Sequence, residues 1–271
     1  MNMNNLNIAF ISHGGGPMPL FNDAAHRDMN RYLKSLASIL PKPSAILVIS
    51  AHWEEKEVRV TANVKPKMIY DYYGFPETAY QVQYPSAGEP VLAEKIQQAL
   101  KEAAIPVIMD HHRGYDHGLY VPLTLMYPEA DIPTIQLSLV NHLDAKQHLA
   151  IGKALQSLDY ENLLVIGSGF SFHNMKAFKG EQNAKDGQLK NQQFDDWLKT
   201  NLSDKSLSES ERHQRLTHWE NAPHARYCHP REEHLLPLHV CYGLAGRVWD
   251  EHENVTIMGK RSSAFVWRSD V

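Results

Sequence analysis

Short runs of branched apolar residues recur along this chain, and several stop at a histidine or a glycine. Ile46-Leu47-Val48-Ile49 has the unbroken apolar character of a strand buried on both faces, as in a parallel sheet between helical layers. It runs straight into Ser50-Ala51-His52-Trp53. Asn7 to Ile11 repeats the arrangement and opens into Ser12-His13-Gly14-Gly15-Gly16-Pro17. Further strands are predicted at 58–62, 105–109, 134–140, 163–167 and 255–258. Between them, helical spacing predicts helices over 24–40, 90–103, 144–158, 192–202 and 206–220, with caps at Asn22-Asp23 and Asp144. Positions 180–187 are polar and loop-like, and Tyr70 to Pro85 is an aromatic, turn-rich loop.

The alternation of strands and helices predicts an α/β fold with a mixed or mostly parallel central sheet covered by helices on both faces. Ligands in such sheets gather beyond the carboxyl ends of the strands, so histidines delivered there share one rim. Asp110-His111-His112 to His117-Gly118 and Ser168-Gly169-Phe170-Ser171-Phe172-His173-Asn174 also follow strands. Near the end of the chain, Pro230 suits a first helical turn. That would place Glu232 and Glu233 at the positive helix end, with His234 on the same turn and an irregularity at Pro237.

Composition narrows the class. The length of 271 residues suits one domain spanning 1–271, and 27 basic against 31 acidic residues, without long runs, give no footprint for nucleic acid or an anionic membrane. No apolar stretch approaches the roughly 20 residues of a membrane span. Met1-Asn2-Met3-Asn4-Asn5 lacks the basic region of a signal peptide, so a cytoplasmic protein is expected, with Cys228 and Cys241 as reduced thiols. The unusual count is 16 histidines, against 8 phenylalanines and 5 tryptophans. Neutral imidazole is the commonest metal ligand and an acid/base group near neutral pH.

His13, His52, His117, His173 and His234 all stand at the ends of apolar elements, too far apart for a local zinc motif. Any site they form is assembled by the fold. Imidazoles without thiolates suit zinc, iron, copper or nickel, and an open coordination position would make the site catalytic.

These motifs, taken in order, resemble the DODA-type (DOPA 4,5-extradiol dioxygenase) branch of the LigB-like class III extradiol ring-opening dioxygenases. The resemblance rests on Ser12-His13-Gly14, Ser50-Ala51-His52-Trp53, Tyr73-Gly74-Phe75-Pro76 with Tyr84-Pro85, Tyr115-Asp116-His117-Gly118, Gly167-Ser168-Gly169 with His173-Asn174, and His229-Pro230-x-x-Glu233-His234-x-x-Pro237-Leu238. It implies a metal held by His13, His52 and His234, with His173 as acid/base or further ligand and His117 lining a catechol pocket. Trp53, Tyr72, Phe75 and Asn174 would meet the substrate. Fe(II) is the metal implied for activity, with Zn(II) as a possible occupant, and the partners implied are a small catechol and O2. Gly15 stands where the family more often has serine, and Phe170 and Phe172 are bulkier than usual there. The third ligand position carries His234, where related enzymes use a carboxylate.

Two other functions fit the same histidines. One is a zinc hydrolase with Glu232 or Glu233 as base. The other is a non-catalytic binder like the Memo-type members of the fold. The sequence specifies neither a particular catechol nor an oligomeric state.

Overall fold

Eight strands form one continuous sheet in the order β4-β3-β5-β2-β6-β1-β8-β7. They are β1 (Leu6–Ser12), β2 (Ala45–Glu55), β3 (Val58–Thr61), β4 (Val107–Asp110), β5 (Thr134–Val140), β6 (Leu163–Gly169), β7 (Glu251–Ile257) and β8 (Lys260–Trp267). The computed structural model describes residues 6–180 and 184–269. Met1-Asn5 and positions 181–183 of the expected polar loop therefore lie outside the described residues.

The four central strands β5, β2, β6 and β1 run parallel, while β3 pairs antiparallel to β5 and β8 antiparallel to β1. The sheet is thus mixed, with a parallel centre. Every residue of β5 and β6 is buried, as expected for strands sandwiched between helices. Two adjacent residues at the end of β6 show that both faces are covered. A methyl placed on Gly167 would meet Cys241 Sγ, while the Ser168 hydroxyl donates to the carbonyl of Gly118. Consecutive strand residues point to opposite faces, so the helices bearing Cys241 and Gly118 lie on opposite sides of the sheet.

The α-helices are α1 (Arg27–Ile39), α2 (Pro90–Glu102), α3 (His117–Met126), α4 (Ala145–Ala154), α5 (Met175–Phe178), α6 (Ala184–Ser203), α7 (Glu209–Thr217), α8 (Ala225–Cys228) and α9 (Leu236–Ala245). Asp144 caps α4 as expected, and α2 opens on Pro90. Four expectations are corrected. Asn22-Asp23 does not cap α1, because a 3-10 turn over Ala24–His26 intervenes and the Asp23 carboxylate binds His26 instead. α6 begins at Ala184, within the stretch expected to be a loop. Residues 230–235 form bends and turns, and the helix starts at Leu236, so Pro237 lies in its first turn, where a missing amide costs nothing, and causes no kink. α3 has no counterpart in the prediction, because eight of its ten residues are buried and it shows no polar stripe.

His148, inside α4, illustrates how this core uses imidazole. Its Nδ1 lies 2.7 Å from the Asp144 carbonyl and its Nε2 accepts the Val140 amide at 3.1 Å, a pairing only the neutral ring can make. Burial lowers its pKa to about 4. The unfolded chain takes up this proton near pH 6.5 and the folded one does not, so stability present above 6.5 is lost as pH falls towards 4. The expected loss across that window is about 3 kcal/mol from this ring alone. Urea denaturation at the two ends of the window, with NMR titration of the His148 ring, checks it; a ring that titrates near 6.5 in the folded protein would refute the account.

Candidate metal centre

All five expected histidines converge at the carboxyl ends of β1, β2 and β6. His13 follows β1 directly and is buried. Its Nδ1 lies 3.0 Å from Ser168 Oγ. Since the Ser168 hydroxyl proton goes to the Gly118 carbonyl, its oxygen must accept from His13 Nδ1–H. The Nε2 lone pair of His13 is thereby turned inward, 3.0 Å from His52 Nε2. His52 lies where the pairing of β2 with β5 slips between Ile49 and Glu54, an irregularity of the kind that re-aims side chains at the edge of a site.

His234 arrives from the turn before α9. Its Nδ1 is 3.0 Å from Glu233 Oε1, which leaves Nε2 as the free donor atom. Its carbonyl accepts the Phe170 amide at 2.8 Å, and Gly169 makes that approach possible, because a methyl there would lie 2.1 Å from the same oxygen. Gly169→Ala is accordingly expected to push the His234 backbone off β6. The loss should be about 1–3 kcal/mol of stability, with weakened metal retention, measured by denaturant unfolding and metal analysis. Unchanged values would show that the turn yields without disturbing the ligand.

His173 stacks on His234, with ring centres 3.5 Å apart and planes 19° apart, and its Nδ1 is 3.2 Å from the same Glu233 oxygen. His117 opens α3, with its ring centre 3.9 Å from that of His52. Its Nδ1 lies 2.8 Å from Asp71 Oδ1, and its backbone amide donates to that oxygen at 3.0 Å.

Among the described residues, the groups of three donors whose ligand atoms all lie within 4.8 Å of one another are His13/His52/His117 and His173/Glu233/His234. The expected set His13/His52/His234 takes two members from one group and one from the other. Its fit to a metal rests on spacing. Nitrogens about 2.1 Å from an ion and at right angles to each other stand about 3.0 Å apart, as the Nε2 atoms of His13 and His52 do. The three rings have centres 4.8, 5.2 and 4.9 Å apart, a nearly equilateral arrangement suited to three ligands on one side of an ion. His117 lies closer to His52, with ring centres 3.9 Å apart and planes tilted by 43°.

The electrostatics match. Burial, then the charges of His234 and His117, holds His13 well below the ordinary histidine range, and burial, then His117 and His13, does the same for His52. Burial and the neighbouring His173 bring His234 to about 4. All three are therefore neutral and able to ligate at physiological pH. Burial alone would raise the Glu233 carboxyl, but its contacts with His173 and His234 outweigh this and hold it far below the usual carboxylate range. Asp71 behaves alike, its contacts with His117 outweighing burial. The carboxylates of Glu233 and Asp71 thus stand one contact outside the imidazoles, behind the rings they face.

Two of the expected substrate contacts are placed otherwise. Trp53 alternates to the opposite side of β2 from His52 and is buried, its indole donating to Glu55 at 3.0 Å beneath the Arg113 guanidinium. Asn174 caps α5, accepting from the Lys176 and Ala177 amides and donating to the Tyr227 carbonyl at 2.7 Å. Its amide is occupied by the backbone. Tyr72 and Phe75 do flank the cluster, Tyr72 with its ring centre 5.8 Å from that of His117 and 5.4 Å from that of Phe75. Phe75 lies against Gly16, where a methyl would be 3.1 Å from its ring. Nor do Glu232 and Glu233 sit at a helix end: Glu232 binds Arg226 at 2.6 Å. Ser168 and Asp71 join the site without a role expected from the sequence. A hydroxyl one residue before Gly169 and an acid within a tyrosine loop carry no local signal of what they meet across the fold.

The family model for the catalytic LigB subunit of aromatic ring-opening dioxygenase matches residues 9–266. The chain belongs to the LigB family. Within it, the chain is 41% identical over 241 residues to a 4,5-DOPA dioxygenase extradiol of Beta vulgaris, a match covering 88% of this chain and 86% of that one. It is 34% identical over 249 residues to the 4,5-DOPA dioxygenase extradiol of Escherichia coli K12, covering 92% and 87%. A crystal structure of an uncharacterised E. coli K12 protein superposes with a TM-score of 0.73 at 29% identity, covering 96% of this chain and 99% of the other. The LigB fold and the family resemblance expected from the motifs therefore hold. No helix among the described residues is long and apolar enough to cross a membrane.

Proposed function

We propose that the chain is a single catalytic domain that opens the ring of a catechol-type, DOPA-like substrate with O2, using Fe(II) held by His13, His52 and His234. The observation that carries this reading is the cluster of neutral imidazoles with His173 stacked against His234 and tied to the same carboxylate. Fe(II), when bound, supplies the redox chemistry that activates catechol and O2, which Zn(II) lacks.

The residues of the chain do the rest. Ser168 and Glu233 hold the rings of His13 and His234 with their Nε2 atoms inward. His173, half-buried, is placed to take a catechol hydroxyl proton at Nε2 and to return it later, with the Glu233 carboxylate behind Nδ1 stabilising the charged ring. Tyr72 and Phe75, beside His117, flank the cluster and are placed to exclude water from it. The two carboxylates that the hydrolase reading would use as base are both engaged, Glu232 with Arg226 and Glu233 with two imidazoles.

The test is oxygen uptake by anaerobically Fe(II)-reconstituted protein over a panel of catechols, with absorbance following ring opening. Uptake coupled to loss of the aromatic band supports the proposal. Hydrolysis of esters or amides by the zinc form without oxygen uptake would replace it, and the absence of any catechol-induced spectral change would favour a non-catalytic binder.

A further inference from the structure

Two carboxylates touch the imidazole cluster, and each touches two imidazoles. Glu233 Oε1 lies 3.0 Å from His234 Nδ1 and 3.2 Å from His173 Nδ1. Asp71 Oδ1 lies 2.8 Å from His117 Nδ1, and its Oδ2 lies 3.8 Å from His52 Nδ1. In both pairs one ring belongs to the proposed ligand set and the other does not.

We propose that Asp71 is a positioning residue of this centre: it fixes His117 with Nδ1 protonated and Nε2 turned towards the cluster, and braces His52 on the side away from His13. This rests on the reading of the cluster as a metal centre. A ring-nitrogen lone pair facing a carboxylate oxygen at 2.8 Å would be repelled, so the proton sits on Nδ1 even though the contact lies off the ideal hydrogen-bond line. The same oxygen accepts the His117 backbone amide at 3.0 Å. α3 has no side-chain cap from Asp116, so Asp71 meets an amide at the start of that helix from outside and places negative charge at its positive end. With backbone and ring gripped by one carboxylate, His117 has little freedom to turn.

Asp71 also belongs to the aromatic loop that flanks the cluster. Tyr70 donates to the Val82 carbonyl at 2.8 Å and Tyr72 to the Ala79 carbonyl at 2.6 Å, so the segments flanking Asp71 are tied back onto their own loop. Tyr120 donates to the Tyr72 hydroxyl at 2.8 Å, which links that loop to α3 a second time. The placement of the wall and the orientation of His117 are therefore set by one structural unit. A short acid between two tyrosines serves here because the backbone of the loop already lies beside the helix start.

The experiment is long-range 1H–15N NMR of histidine-labelled protein, metal-free and Zn(II)-loaded, for wild type, Asp71→Ala and Asp71→Asn. Wild-type His117 is expected as the single Nδ1–H tautomer. In Asp71→Ala it should become a mixture with the Nε2–H form, with stoichiometric metal still bound but its affinity lowered about 10–100-fold through the loss of the brace on His52, and the Asn carbonyl should restore the original tautomer. In Fe(II)-loaded protein, Asp71→Ala should lose about 10–100-fold in kcat with a smaller change in KM, and Asp71→Asn should recover most of it. An Nε2–H tautomer in the wild type overturns the proposal without any variant having to fold. So does an unchanged His117 in Asp71→Ala, or loss of metal from both variants. If the wild type turns over no catechol, the dioxygenase reading fails and the NMR arm still decides the role of Asp71.

Discussion

Alanine at His13, His52 or His234 is expected to abolish tight metal binding, and with it catechol turnover, while leaving a folded protein. Removing a residue that merely orients a ligand costs about 10–100-fold in metal affinity, so removing a ligand should exceed about 100-fold. The fold should tolerate the change at this rim, because the apolar strands that set it, from Ile46 to Ile49 and from Leu163 to Ile166, pack independently of these rings. His234→Ala is the most informative of the three. It separates the set His13/His52/His234 from the tighter group His13/His52/His117, which survives that substitution intact. Metal analysis after dialysis, beside circular dichroism, checks it. Stoichiometric metal in His234→Ala would move the third ligand to His117.

At His173, binding and chemistry should separate. Alanine there should keep most of the metal and still bind catechol, yet lose about 10²–10⁴-fold in turnover, the usual worth of a positioned proton-transfer group. His173 stacks behind His234 and is not in the equilateral set, and its Nδ1 faces Glu233, so its contribution is made through Nε2. Three ligands also leave adjacent positions for catechol and O2, which a fourth would block. Metal content, a catechol difference spectrum and steady-state turnover on this variant decide the matter. Collapse of metal binding would make His173 a ligand, and unchanged turnover would leave it no functional part.

Much of this was legible in the sequence because β2 and β6 carry unbroken apolar runs and each leads into chemistry. A buried parallel strand leaves a plain signature, and β2 and β6 show it, whereas β5 alternates with the buried polar Thr134, Gln136 and Ser138. Where the pattern is not periodic, it was silent. α3 is buried on nearly all sides, and β8 has seven of eight residues buried, so neither shows the alternation that marks a half-exposed element. The histidines were legible as a set because the pattern of a strand, a serine and then a histidine repeats, once opening into three glycines. Their partners were not: Ser168, Asp71 and Glu233 matter through contacts that exist only once β6, the aromatic loop and the turn before α9 meet. The two misplaced contacts have ordinary causes, strand alternation for Trp53 and helix capping for Asn174.

The position of β1 bears on how the protein is made. The strand that presents His13 lies between β6 and β8, pairing Ile8 with Val165 on one side and with Trp267 on the other. β1 thus waits for β8, made long after it, before both of its edges are covered. Until then it is an apolar edge able to recruit strands from other nascent chains. A chain stopped before β8 would hold all five histidines and still present that edge, so the β7–β8 hairpin is expected to matter for solubility during synthesis although none of the five histidines lies in it.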